Sequence, residues 1–176
     1  WHMSIDMSGV FVPCTTPFDP VTGEVDLVGL RANLRDFLSH SVRGIVVGGS
    51  TGEAVLLDED ERERMLEGVR DVVSPDRLVV AGTGAESTRA TIRRCQVAAR
   101  TGADAVLVQP PAFYLGAMTS QALLEHYRAV ADASPIPVIL YQVPLRMSTL
   151  EFTTSLVEDL SKIENVVGIK DSRGSL

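Results

Sequence analysis

The stretch AVLVQPPAFYLGAMTSQALLEHYRAVADASPIPVILYQV, Ala105 to Val143, decides the fold. It opens on an apolar run, Ala105 to Pro110, and closes on another, Pro137 to Val143. Runs this short, nearly all apolar and bounded by proline suit strands buried on both faces, as in a parallel sheet covered by helices. Between them, Ser120 to Ser134 carries apolar residues at spacings of three and four, the mark of a helix with one buried stripe, and Ser120 is its expected N-cap. Strand, helix and strand in succession make a βα crossover.

The same alternation continues in both directions. Further strands are predicted at Gly9 to Thr16, Gly44 to Ser50, Arg77 to Gly84 and Val166 to Asp171. Further helices are predicted at Leu27 to Ser41, Asp58 to Val73, Ser87 to Thr101 and Thr149 to Leu160. Asp58 and Glu61 have the spacing of a capping box, Ser87 is a further N-cap, and Gly102 stands where the helix ending at Thr101 should stop. The repeat of about 30 residues is that of a βα unit. No linker, charge block or low-complexity segment interrupts it, so residues 4–176 read as one domain. An open doubly wound sheet and a closed eight-stranded barrel both fit this periodicity.

The 176 residues are 45% hydrophobic, enough for a sizeable core, and carry a formal charge of -7 with a pI of about 4.9. Such a balance attracts neither nucleic acid nor an anionic membrane surface, so neither is an expected partner. No apolar stretch approaches the ~18 residues of a membrane span and the N-terminus lacks a secretory pattern, which predicts a cytoplasmic protein. Cys14 and Cys95 have no metal-ligand spacing around them and read as reduced thiols packed as small hydrophobes. Trp1-His2-Met3 reads as residue left from a cloning site.

Cations are skewed: of 16 lysines and arginines only Lys162 and Lys170 are lysines. Lys162 sits among polar residues, whereas Lys170 closes an apolar strand. A lysine at the end of a buried strand is pushed toward its free amine, the nucleophile that Schiff-base chemistry requires. Special residues also follow the other strands: Thr15-Thr16-Pro17, Gly48-Gly49-Ser50-Thr51-Gly52-Glu53, Gly82-Thr83-Gly84, Pro110-Pro111 and Tyr141-Gln142-Val143-Pro144. In a barrel all these ends converge on one face. The cluster from Gly48 to Glu53 reads equally as a cradle for a carboxylate and as an ordinary strand-to-helix turn, and it lacks the spacing of a phosphate loop. Tyr141 could pass protons beside the lysine, and Tyr114 lies in the loop after the fourth strand.

Gly49-Ser50-Thr51-Gly52-Glu53, Tyr141-Gln142-Val143-Pro144 and Gly168-Ile169-Lys170-Asp171 together resemble the dihydrodipicolinate synthase and N-acetylneuraminate lyase family, over nearly all of residues 9–176. The resemblance implies a (β/α)8 TIM barrel, a class I mechanism on pyruvate or a 2-oxo acid with an aldehyde partner, no metal or other cofactor, and a homo-oligomer, dimer or tetramer. By position it implies Lys170 as the imine-forming lysine and Tyr141 as the proton-relay and pyruvate-positioning tyrosine. Ser50 falls where relatives carry a relay threonine. Thr51, with Gly49 beside it, falls where the pyruvate carboxylate is held. Tyr114 resembles the tyrosine that completes the relay from a neighbouring subunit.

Arg146 resembles the arginine with which the synthases bind a second carboxylate, although Met147-Ser148 replaces the usual threonine and glycine. The stretch from Gly116 to Pro144 looks closer to 4-hydroxy-2-oxoglutarate aldolases, a second reading of the substrate. Family members are longer, so the chain is expected to be a fragment holding the first six βα units, with Leu176 just beyond the sixth strand. The rival of another class is a relative that binds a 2-oxo acid without turnover.

Overall fold

The computed structural model describes residues 5–174, so the cloning-residue reading of residues 1–3 lies outside the described residues. These residues fall into two compact units: residues up to Gly82 with Val97–Ala105, and Thr83–Gln96 with Val106 onward.

In the first unit the strands β1 (Phe11–Pro13), β2 (Gly44–Val47) and β3 (Leu78–Gly82) pair in parallel in that order. Phe11 lies opposite Gly44, and Ile45 opposite Val79. The helices α1 (Leu27–Leu38) and α2 (Glu59–Arg70) pack together, burying Leu30 and Leu34 from one and Met65, Leu66 and Val69 from the other. Both start where the sequence offers a cap. Asp26 accepts from the Val28 and Gly29 N–H groups, and Asp58 and Glu61 form the predicted reciprocal box, with bonds of 2.8 and 2.9 Å. The helix α3 (Thr88–Arg100) ends at Gly102, whose φ of +97° lets Ala103 N–H reach the Ala98 carbonyl at 2.9 Å. Asp104 then ties this corner together, accepting from Val79 N–H at 2.7 Å and from Arg70 at 3.2 Å.

In the second unit β4 (Ala105–Val108), β5 (Val138–Gln142) and β6 (Val166–Asp171) are likewise parallel and in sequence order. The helix α4 (Ser120–Ala133) buries Leu123, Tyr127 and Val130, and the Tyr127 hydroxyl donates to the Val108 carbonyl at 3.0 Å. The Tyr127 ring meets Phe152 edge-on, with centroids 5.8 Å apart. The helix α5 (Thr154–Leu160) buries Leu156 and Leu160. Strand after helix without reversal of order is the succession of βα units that the sequence predicts.

Three expectations shift. The cap of α4 is Thr119, whose hydroxyl accepts from Ala122 N–H at 3.2 Å, and not Ser120. α5 starts at Thr154 instead of Thr149, because residues 150–152 are held extended by hydrogen bonds to Gln142. β4 and β5 are buried on both faces as predicted, but β6 is not: Val167 and Ile169 are 43% and 40% exposed. Among the described residues no strand follows β6 to cover it.

Candidate active site

In the first unit the stretch after β2 turns tightly. Gly48 has a φ of +65°, residues Ser50–Gly52 form one turn of 3-10 helix, and Glu53 has a φ of +54°, the left-handed region that favours glycine. The turn fits because β3 ends on glycine: a Cβ on Gly82 would collide with the Gly48 carbonyl. Three N–H groups of the turn are spent within it. Gly52 donates to Gly49 O at 3.0 Å, Glu53 to Ser50 O at 3.2 Å and Ala54 to Gly49 O at 3.4 Å. Thr16 donates to the Gly52 carbonyl at 2.5 Å, and Arg62 from α2 donates to the Ala54 carbonyl. Gly49 and Ser50 are half-buried here and Thr51 is exposed. The turn is thus braced by side chains from β1's end and α2, and its hydroxyls stand on a fixed backbone.

In the second unit the strand register places Tyr141 opposite Lys170, and Gln142 opposite Asp171. In-register neighbours share a face of the sheet. Accordingly the Lys170 Nζ lies 4.5 Å from the centroid of the Tyr141 ring. Tyr141 is 4% exposed and Lys170 is half-buried, so an amine that can meet solvent-borne substrate stands against a buried phenol ring. The deep burial predicted for Lys170 is not present, for the reason given for β6. One residue on, Arg173 forks onto the Asp171 carboxylate at 2.5 to 3.1 Å and reaches Glu151 at 3.5 Å. Those bonds hold the Asp171 carboxyl below the usual carboxylate range.

Tyr114 stands on the segment after β4, 71% exposed, its ring edge-on to Phe113 at 5.0 Å. Arg146 stands, exposed, on the segment after β5. The geometry therefore joins Lys170 to Tyr141 directly and carries Tyr114 and Arg146 on surface segments of the same unit. Gly49, Ser50 and Thr51 belong to the first unit.

Residues that sequence reasoning passed over hold these segments. Glu86 accepts from the Ala112 and Phe113 N–H groups at 3.0 and 2.9 Å. Gln142, 1% exposed, binds backbone at both ends of residues 143–152. A lone polar residue at the end of an apolar strand was the available signal for Gln142; nothing in the sequence marks Glu86. His126 is also buried, with Nδ1 2.9 Å from the Thr88 hydroxyl, Nε2 without a hydrogen-bond partner, and burial pushing its pKa down to about 4. Cys14 and Cys95 are free and buried as predicted, and burial pushes the Cys14 thiol up to about 11 and the Cys95 thiol above its ordinary value. Among the described residues no group of three or more His, Cys, Asp or Glu is placed to hold a metal ion, and no helix is long and apolar enough to cross a membrane.

The model of the dihydrodipicolinate synthetase family matches residues 6–176. A probable mitochondrial 4-hydroxy-2-oxoglutarate aldolase of Emericella nidulans is 42% identical over 95% of this chain and 55% of its own length. The 4-hydroxy-tetrahydrodipicolinate synthase of Pseudomonas aeruginosa is 40% identical over 97% of this chain and 57% of its own. The crystal structure of the chloride-inhibited dihydrodipicolinate synthase of Acinetobacter baumannii, complexed with pyruvate, superposes with a TM-score of 0.90 at 34% identity, over 97% of this chain and 57% of that one. The chain thus spans little more than half the length of these relatives. Its fold is six βα units of the (β/α)8 architecture, and the open doubly wound alternative falls away.

Proposed function

Because the chain belongs to the dihydrodipicolinate synthetase family, we propose that the protein is a lyase or synthase that forms a Schiff base with pyruvate or another 2-oxo acid. The observation that carries this reading is the Tyr141–Lys170 pair, in register on adjacent strands with the amine 4.5 Å from the phenol ring.

In the proposed reaction the free amine of Lys170 attacks the keto carbon, and the carbinolamine loses water to give a protonated imine. The iminium withdraws electrons from the neighbouring carbon, whose proton can then leave to give an enamine. Tyr141 carries protons to and from the carbinolamine, with Ser50 and Tyr114 as further relay hydroxyls. Thr51 and Gly49 take the pyruvate carboxylate, and Arg146 a second carboxylate on the aldehyde. The enamine adds to that aldehyde, or arises from it by retro-aldol cleavage, and hydrolysis frees Lys170. These roles for Ser50, Thr51, Gly49, Tyr114 and Arg146 rest on position within the family motifs alone. The catalytic domain extends from residue 4 through 176, as part of a longer barrel.

Two further elements belong to the proposal. Phe113 and Tyr114, 77% and 71% exposed, suit a face covered by a second copy in a dimer or tetramer. The free, buried cysteines suit a cytoplasmic setting.

A second reading, 4-hydroxy-2-oxoglutarate aldolase, is favoured by the 42% identity to the Emericella nidulans protein. Borohydride reduction in the presence of pyruvate should add one pyruvyl group to the protein, located on Lys170 by peptide mass spectrometry and lost in Lys170→Ala. Absence of an adduct on Lys170 sinks the mechanism. Turnover of aspartate semialdehyde with pyruvate, against cleavage of 4-hydroxy-2-oxoglutarate, separates the two readings, and an adduct without turnover of either favours a 2-oxo-acid-binding relative.

A further inference from the structure

Residues 143–152 leave the end of β5 and carry Arg146 near their middle. Within this segment Met147 and Ser148 N–H donate to the Pro144 carbonyl at 2.8 and 3.3 Å, which curls the chain around the arginine. Both ends of the segment are fastened to one side chain. Gln142 donates from Nε2 to the Val143 carbonyl at 3.1 Å and to the Leu150 carbonyl at 2.9 Å, and its Oε1 accepts from Phe152 N–H at 2.7 Å. An amide suits this task because one neutral group offers two donors and an acceptor. Its burial leaves no water to replace those bonds.

Successive strand residues point to opposite faces, so Gln142 does not share the Tyr141–Lys170 face of β5. It does not touch the reacting atoms. We propose that Gln142 is a positioning residue: it closes the 143–152 segment, fixes where Arg146 stands, and through Arg146 sets the preference for a carboxylate-bearing second substrate. This rests on the reading of Lys170 and Arg146 as parts of one 2-oxo-acid site.

The test uses Gln142→Met in the intact protein, which keeps the length and volume of the side chain and removes its polar atoms. Hydrogen exchange at the Phe152 amide should accelerate by about tenfold or more, with pyruvate trapping at Lys170 by borohydride within about twofold of the unsubstituted protein. The KM for aspartate semialdehyde or 4-hydroxy-2-oxoglutarate, whichever is turned over, should rise by about fivefold with kcat held within about twofold. In an Arg146→Ala background the same substitution should leave that KM unchanged, because the residue through which Gln142 acts is gone.

A rise of equal size in the Arg146→Ala background overturns the proposal, as does unchanged exchange at Phe152 or a parallel collapse of kcat and trapping. Trapped pyruvate without turnover of either second substrate overturns the specificity role. No trapping in the unsubstituted protein overturns the 2-oxo-acid reading instead, and exchange at Phe152 then still decides whether Gln142 holds the segment.

Discussion

Two segments of the second unit follow successive strands and are fastened in opposite ways. Residues 109–119, after β4, hang from Glu86, an exposed carboxylate that accepts from two backbone N–H groups at 2.9 and 3.0 Å. Residues 143–152, after β5, are closed by the buried amide of Gln142. Water can stand in for an exposed acceptor, so losing it costs little; a buried N–H that loses its partner has no substitute. The segment bearing Tyr114 is therefore adjustable, as suits a ring that would meet another subunit, and the segment bearing Arg146 is set.

The sharpest way to break that contrast is Gln142→Ala. It strands the buried Phe152 N–H and leaves a cavity against the end of β5, so it should cost about 3–5 kcal/mol. Urea unfolding should show a lower midpoint at unchanged slope. A loss below about 1 kcal/mol would mean that both segments are held equally lightly.

Acid should loosen the two segments in sequence. Residues 109–119 run into α4, where His126 is 6% exposed and bonded only to Thr88 of α3, two residues beyond Glu86. Its pKa is about 4 in the fold against an ordinary 6.5, so between these values the unfolded chain binds the extra proton and the folded protein does not. Stability is whole above pH 6.5, falls as the pH drops toward about 4, and then levels, a loss of about 3 kcal/mol. Exchange at Ala112 and Phe113 should accelerate first, with Phe152 still protected. His126→Gln should flatten the profile between pH 6.5 and 5, where carboxylates stay charged; an unchanged profile would remove His126 as the cause.

The contrast also explains how far the sequence could be read. Lys170 and Tyr141 were legible because a βα repeat puts successive strand ends side by side, and β6 runs from Val166 to Asp171 as predicted. Asp58 with Glu61, and Gly102, were legible because capping is a local bond between close neighbours. Thr119 and Ser120 offer the same hydroxyl one residue apart, and only the backbone chooses between them. The late start of α5 had no local signal, because what holds residues 150–152 extended is a side chain eight to ten positions earlier. Glu86 and Gln142 escaped notice for the same reason: both bind backbone groups, which every residue possesses, so nothing in the partner's identity points back to them.

The smallest effect is expected at Glu86, and it bears most directly on the contrast. Glu86→Ala removes both acceptor bonds from the 109–119 segment, yet water can reach Ala112 and Phe113, so exchange at those two amides should rise by only about three- to tenfold. Glu86→Gln keeps one carbonyl oxygen toward the same N–H groups and loses the charge that strengthens the bonds, so it should fall between the two. Raising the salt concentration should separate the segments further, since it screens an exposed carboxylate and leaves a buried neutral amide untouched. If Glu86→Ala also accelerated exchange at Phe152, the two segments would be one mechanical element, and the division between an adjustable ring and a fixed arginine would be lost.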